Sequence, residues 1–220
     1  MMPSADLRSR ILAAASREPA LARAQVRRRN AMLLGSAFVV PTLVFLAFGG
    51  LRPAARPSEL VVETAASAAF VALAMGITAL SRGRSMLGRP GSLLLAAAVL
   101  TPALLFACKV LVSSQYPSLM LQAPHRPGLR CLGLSCLMAA WPLVAFVLMR
   151  RGSDPTNPRL TGAALGAVAG AGVWVLVDLW CPVGYVPHLL LGHVVPVLLC
   201  MAAGALLGHR LIALRAFSSP

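Results

Sequence analysis

Six apolar stretches of membrane-spanning length follow one another along this chain, at residues 32–49, 60–80, 92–112, 129–149, 160–180 and 189–212. At 1.5 Å per residue, ~20 residues of helix cross the ~30 Å of bilayer hydrocarbon. The chain has 220 residues, so only short loops and a basic N-terminal segment remain. A backbone in lipid must satisfy its own hydrogen bonds, which leaves helices or a closed barrel. Continuous apolar runs of this length select helices. The expected fold is all-α: an integral membrane bundle of six transmembrane helices with a short cytoplasmic N-terminal helical segment. Its divisions are a partner-binding segment over 1–30, the six-helix domain over 31–213 and a cytoplasmic tail over 214–220.

Hydrophobic residues make up 58% of the chain and charged ones 12%, about half the charged share of a soluble domain. A soluble fold would lack the polar surface to cover such a core. The formal charge of +14 would suggest nucleic acid in a soluble protein. In a membrane chain the positive-inside rule accounts for it instead, and no direct nucleic-acid contact is expected. Arg8, Arg10, Arg17, Arg23, Arg27, Arg28 and Arg29 precede the first span. Arg82, Arg84 and Arg89, then Arg150, Arg151 and Arg159, and finally Arg210 and Arg215 fall on the same side. Only Arg52, Arg56, Arg126 and Arg130 fall on the other, and Lys109 lies within the third span. Fifteen arginines against four place both termini in the cytoplasm of a multi-pass inner-membrane protein. The lead-in to the first apolar stretch is too long for a usual signal peptide, and five more spans follow. A retained signal-anchor helix is expected.

The N-terminal segment is the one piece outside the bilayer. Ser4 can cap a short helix, and Asp6 suits its first turn. Leu7, Ile11 and Leu12 then form a small apolar stripe beside Arg8, interrupted by Pro19. A second helical stretch, 20–30, carries the Arg27-Arg28-Arg29 cluster into the headgroup region. Two readings stand: an anchor lying on the bilayer surface, or a docking helix for a cytoplasmic partner. On the second, Leu7, Arg8, Ile11 and Leu12 are the binding residues.

Within the spans, Gly162, Gly166 and Gly170 recur at every fourth position of the fifth, and Gly204 and Gly208 in the sixth. Small residues at that spacing let helix backbones approach closely, although they could also leave room for a ligand or ion path. Pro102, Pro142 and Pro196 are expected to kink their spans. Lys109, Asp178 and Glu63 could share one outward layer, with Lys109 and Asp178 neutralising each other. The alternatives are snorkelling ends or an ion relay. Transport usually places ionisable groups near the midplane, and this sequence puts none that deep.

Five cysteines are present. The topology sets Cys131 at the outer mouth of the fourth span and Cys181 at that of the fifth, facing an oxidising compartment where a disulfide could persist. Cys108 also lies toward the outer side, while Cys136 and Cys200 read as deeper packing residues. Cys181 is followed by His188 and His193 in a Cys-x6-His-x4-His spacing. That spacing matches no strong zinc pattern, so metal or porphyrin binding stands only as the minor alternative and no metal or cofactor is assigned. His125 and His209 suggest no site. No phosphate loop, HExxH or nucleophile elbow occurs, and no enzymatic activity is expected.

Arg130-Cys131-Leu132-Gly133, Leu160 to Gly166, Asp178-Leu179-Trp180-Cys181-Pro182 and Gly204 to Arg210, with six spans in a chain of this size, resemble the NrsF-like membrane anti-sigma factors. The stretch Leu7 to Leu12 and the arginine cluster before the first span agree. The resemblance covers most of the chain through diffuse motifs. It implies an inner-membrane negative regulator that holds an extracytoplasmic-function sigma factor and releases it on a signal. It also implies Cys131 and Cys181 as sensing residues. High arginine and alanine content adds a narrower likeness to light-responsive regulators of carotenoid synthesis. Redox, metal or light could then be the signal. A small transporter or channel built on Lys109 and Asp178 is the alternative function.

Overall fold

The computed structural model describes residues 23–48, 50, 57–81, 89–117, 128–151, 156–181 and 183–213. Leu7, Arg8, Ile11 and Leu12, His125, and the tail 214–220 lie outside the described residues. The chain divides into two units, Met1–Met32 and Leu33–Pro220. In the first, the described residues 23–32 are helical.

The architecture is all-helical, and no described residue is in a strand. In chain order the helices are α1 (Arg23–Phe48), α2 (Ser58–Leu80), α3 (Gly91–Ser114), α4 (Leu129–Met149), α5 (Pro158–Trp180) and α6 (Val186–Ile212). Each is long and apolar enough to cross a membrane. Their starts and stops follow the punctuation. Pro57 and Pro90 precede α2 and α3 in extended conformation, since proline disfavours preceding helix and presets its own φ. Pro158 opens α5, where its missing N–H costs nothing.

Within the second unit α5 is the centre. Its apolar window is 72% buried, against 33% for those of α2 and α3. It packs against α2, α3, α4 and α6. The opposite condition marks the periphery. Phe38, Val39, Leu43 and Leu46 on α1, and Phe70, Leu73 and Ile77 on α2, are large apolar side chains left exposed. In water such a surface would be a liability; in a multi-pass membrane protein it is the face turned to lipid. Trp141 Nε1 donates to Ser36 Oγ at 3.0 Å, joining α4 to α1 by a polar contact.

The tightest seam is α5 on α6. A Cβ added at Gly162 would collide with the Gly204 carbonyl, and one at Gly166 with the Cys200 carbonyl. At Gly170 it would stand 2.9 Å from Val197 Cα. The two backbones therefore touch directly, as small residues at every fourth position allow. The glycine spacing makes packing at this place, and no lining of a path is needed to account for it.

Helices α3 and α4 run through Pro102 and Pro142, and α1 through Pro41. Helix α6 is different. It is α-helical over Val186–Leu189, π-helical over Leu190–Val194, α-helical over Val195–Leu207 and π-helical again over Gly208–Ile212. Pro196 lies at the join after the first π segment. A proline there cannot supply its own N–H to the ladder, and a widened turn is one way a helix accommodates that.

Replacing Gly166 by Leu is expected to destabilise the detergent-solubilised protein by about 1–3 kcal/mol or more through overpacking of the seam. Gly133, with nothing within 4 Å of an added Cβ, is the control. Its change to Ala should be neutral or stabilising by up to about 1 kcal/mol. Thermal unfolding followed by helical circular dichroism measures both.

Candidate functional site

Polar side chains gather at the end of the bundle where α3 and α5 finish and α4 and α6 begin. Four of them form a compact knot: Cys131, Cys181, His188 and His193, with their ligand atoms all within 4.8 Å of one another. All four residues are buried.

Each is placed by local backbone. Gly128 caps α4 at φ 90°, a conformation that favours glycine, and its carbonyl accepts the Leu132 N–H at 2.8 Å. Cys131 is thereby fixed in the first turn. Cys181 closes α5, its N–H donating to the Val177 carbonyl at 2.7 Å. His188 is in the first turn of α6, and His193 follows in the π segment. Residues five apart on a regular α-helix are turned from each other by about 140°. In a π segment, hydrogen bonds close from i to i+5, and residues five apart come round to one side. The ring centroids of His188 and His193 are 5.7 Å apart. Gly192 completes the approach: a Cβ there would lie 3.0 Å from Cys131 Cβ.

His188 Nε2 stands between the two thiols, 3.2 Å from Cys181 Sγ and 3.5 Å from Cys131 Sγ. No disulfide joins the two cysteines. They are enclosed by side chains instead of opening onto a solvent-facing mouth, a difference from the sequence expectation. The reason is tertiary: the start of α6 folds over the ends of α4 and α5. Arg130 covers the edge, its guanidinium 5.1 Å from the centre of the Trp180 ring, a cation–π distance.

Deeper by one layer lies the charge pair. Lys109 Nζ meets Asp178 Oδ1 at 2.8 Å, and both residues are buried. Two opposite charges in a low-dielectric interior are tolerable only when paired and hydrogen-bonded. Trp174 Nε1 donates to Asp178 Oδ2 at 3.1 Å and so supplies the second contact. The same carboxylate reaches toward the knot, with His193 Nδ1 3.9 Å from Oδ1. The His193 ring packs edge-on against Trp174, centroids 5.2 Å apart. Lys109 and Asp178 are therefore brought together, and Asp178 links them to the thiol–imidazole knot. Glu63 is exposed and does not join this layer. Cys108 and Cys136 are half-buried and Cys200 is buried, and none belongs to the four-residue set.

Sequence reasoning singled out Cys131 and Cys181 as a pair and treated His188 and His193 only as a weak ligand spacing after Cys181, without joining them to Cys131. The signal was partly present, because Cys181, His188 and His193 lie within 13 residues of one another. Two things were hidden: the π segment that aligns the histidines, and the contribution of Cys131 from a different helix. Chemically, two thiols and two imidazoles at this distance can exchange protons, be oxidised to a disulfide, or ligate a cation.

Comparison with curated proteins and with solved structures finds no match. Among protein families, NrsF, described as negative regulator of sigma F, matches residues 14–213. That stretch holds all six helices and every residue of the knot. The chain belongs to the NrsF family and is a negative regulator of a sigma factor.

Proposed function

We propose that this protein is an inner-membrane anti-sigma factor that holds an extracytoplasmic-function sigma factor through residues 1–30. It releases the sigma factor when the thiol–imidazole knot of the bundle changes state. The observation that carries the release step is the enclosed set of Cys131, Cys181, His188 and His193. A hydrophobic bundle has little reason to concentrate these groups unless their chemistry is used.

The cytoplasmic handle offers Leu7, Ile11 and Leu12 as an apolar stripe and Arg8 as its charged flank. The arginine distribution supports cytoplasmic termini and puts the knot on the opposite side. Such a regulator needs no catalytic step. It needs two arrangements of the bundle and a signal that distinguishes them. Moving a population from 1:99 to 99:1 takes a preference of about 10⁴-fold for one arrangement. Covalent oxidation of the thiols, or their capture of a thiol-reactive metal, can supply that preference. The narrower likeness to regulators of carotenoid synthesis makes genes of that synthesis the proposed target class. The bonded, buried Lys109–Asp178 pair fits a structural and positioning role better than an ion path.

Deletion of residues 5–26 should free the sigma factor while the bundle still inserts. A target-promoter reporter should then be active without inducer, and a silent reporter would show that the handle is not the inhibitory element. Replacing both Cys131 and Cys181 by Ser should leave sigma-factor binding intact and blunt the response to oxidant or thiol-reactive metal. Normal induction by every signal would remove the pair from the mechanism. For sidedness, a phosphatase fused after Pro220 should be inactive and one inserted near Gln122 active. The reverse pattern would overturn the orientation.

A further inference from the structure

We infer that Cys131, Cys181, His188 and His193 form a tetrahedral binding site for a thiophilic divalent cation of the zinc class. The geometry is the first support. A cation with bonds of about 2.3 Å to sulfur and 2.0–2.1 Å to nitrogen sets tetrahedral edges of about 3.6 Å between sulfur and nitrogen. His188 Nε2 already lies 3.2 and 3.5 Å from the two sulfurs. All four ligand atoms fit within 4.8 Å, so closure on a cation needs shifts of about 1 Å or less at side-chain ends, judged against those edges.

The second support is independent of that spacing. His193 is buried, and neither of its ring nitrogens has a hydrogen-bond partner among the described residues. A buried imidazole without a partner is costly, and a cation at the centre of the knot would remove that cost. Charge agrees as well. On binding, the two thiols lose their protons to water, and two thiolates with one divalent cation sum to zero. The neighbouring Lys109–Asp178 pair also sums to zero. The buried end of the bundle would therefore hold no net charge, as a low-dielectric site requires.

The donor set points to the cation class. Two thiolates and two imidazoles in a tetrahedral arrangement suit zinc-like ions and disfavour magnesium or calcium, which take oxygen ligands. Four protein ligands leave no open position, so the site is structural or sensory in character. Asp178, 3.9 Å from His193 Nδ1, is placed to orient that ring in the manner of a carboxylate behind a ligating histidine. Asp178 is a positioning residue here and is itself held by Lys109 and Trp174.

The inference concerns the same side chains as the proposed release step, but it is read on purified protein while release is read at a promoter in cells. Failure of one is therefore distinguishable from failure of the other. The test uses the full chain in detergent, reduced and metal-free, titrated with Co²⁺ and then Zn²⁺. One Co²⁺ should bind per chain, with the visible bands of a tetrahedral site and a thiolate charge-transfer band, and Zn²⁺ should displace it. His188→Gln and His193→Gln should each weaken binding at least about tenfold, since loss of a ligand costs no less than loss of an outer-shell partner. Cys136→Ser, outside the set, should not. Helical content and monodisperse elution confirm folding of each variant. If a histidine variant does not fold, X-ray absorption of the zinc-loaded wild type decides. Two sulfurs at about 2.3 Å with two nitrogens at about 2.0–2.1 Å support the site. Absence of binding by the folded, reduced wild type overturns it, as does a thiolate site that neither histidine variant weakens or a spectrum without nitrogen ligands.

Discussion

Backbone contact between α5 and α6 is the constraint on which the rest depends. Gly162, Gly166 and Gly170 present no side chain, so the carbonyls and Cα atoms of α6 rest against the α5 backbone itself. In lipid there is no hydrophobic force between helices, and close packing is what holds them. Drawing α6 this near to α5 brings its first turns over Cys181, at the end of α5. Gly128 and Gly192 then let the start of α4 approach the same turns. The knot of thiols and imidazoles is a consequence of those approaches. With a Cβ at the seam the helices would stand apart, and the four groups would separate.

The polar groups are arranged in depth. Lys109, Asp178 and Trp174 form a neutral, hydrogen-bonded layer, and the knot lies on top of it. Asp178 belongs to both through its approach to His193. A change at the thiols therefore has a physical route into the bundle: His193 moves with α6, Asp178 with α5, and Lys109 with α3. Packed interiors shift between discrete arrangements more readily than they deform. A regulator that changes state needs that property.

Membership in the NrsF family gives the bundle a task, and the physical design suits it. The described helices enclose one thiol–imidazole cluster beside a charge pair and leave many large apolar side chains exposed on the outside of the bundle.

Much of this was legible in the sequence. Runs of about 20 apolar residues can only be helices in a bilayer, so five of the six spans appear with bounds within a few residues of those found, while α1 begins at Arg23, nine residues before the first apolar stretch at 32. Lys109 and Asp178 were legible as a pair because two lone opposite charges in lipid have no better partner. The four-residue spacing of glycine announced a seam, though not which helix filled it. The site was legible only in part. Cys131 and Cys181 stood out from their places at the span ends, whereas His188 and His193 did not join them. The turn that aligns those histidines is a π segment, and an α-helical reading points them about 140° apart. Sequence periodicity reports local hydrogen-bonding geometry on average, and a one-turn departure from it leaves no periodic trace. The element count and the charge pair thus follow from the solvent the chain must live in. The convergence of four ligands from α4, the end of α5 and α6 follows from how closely particular backbones meet, which only the tertiary structure decides.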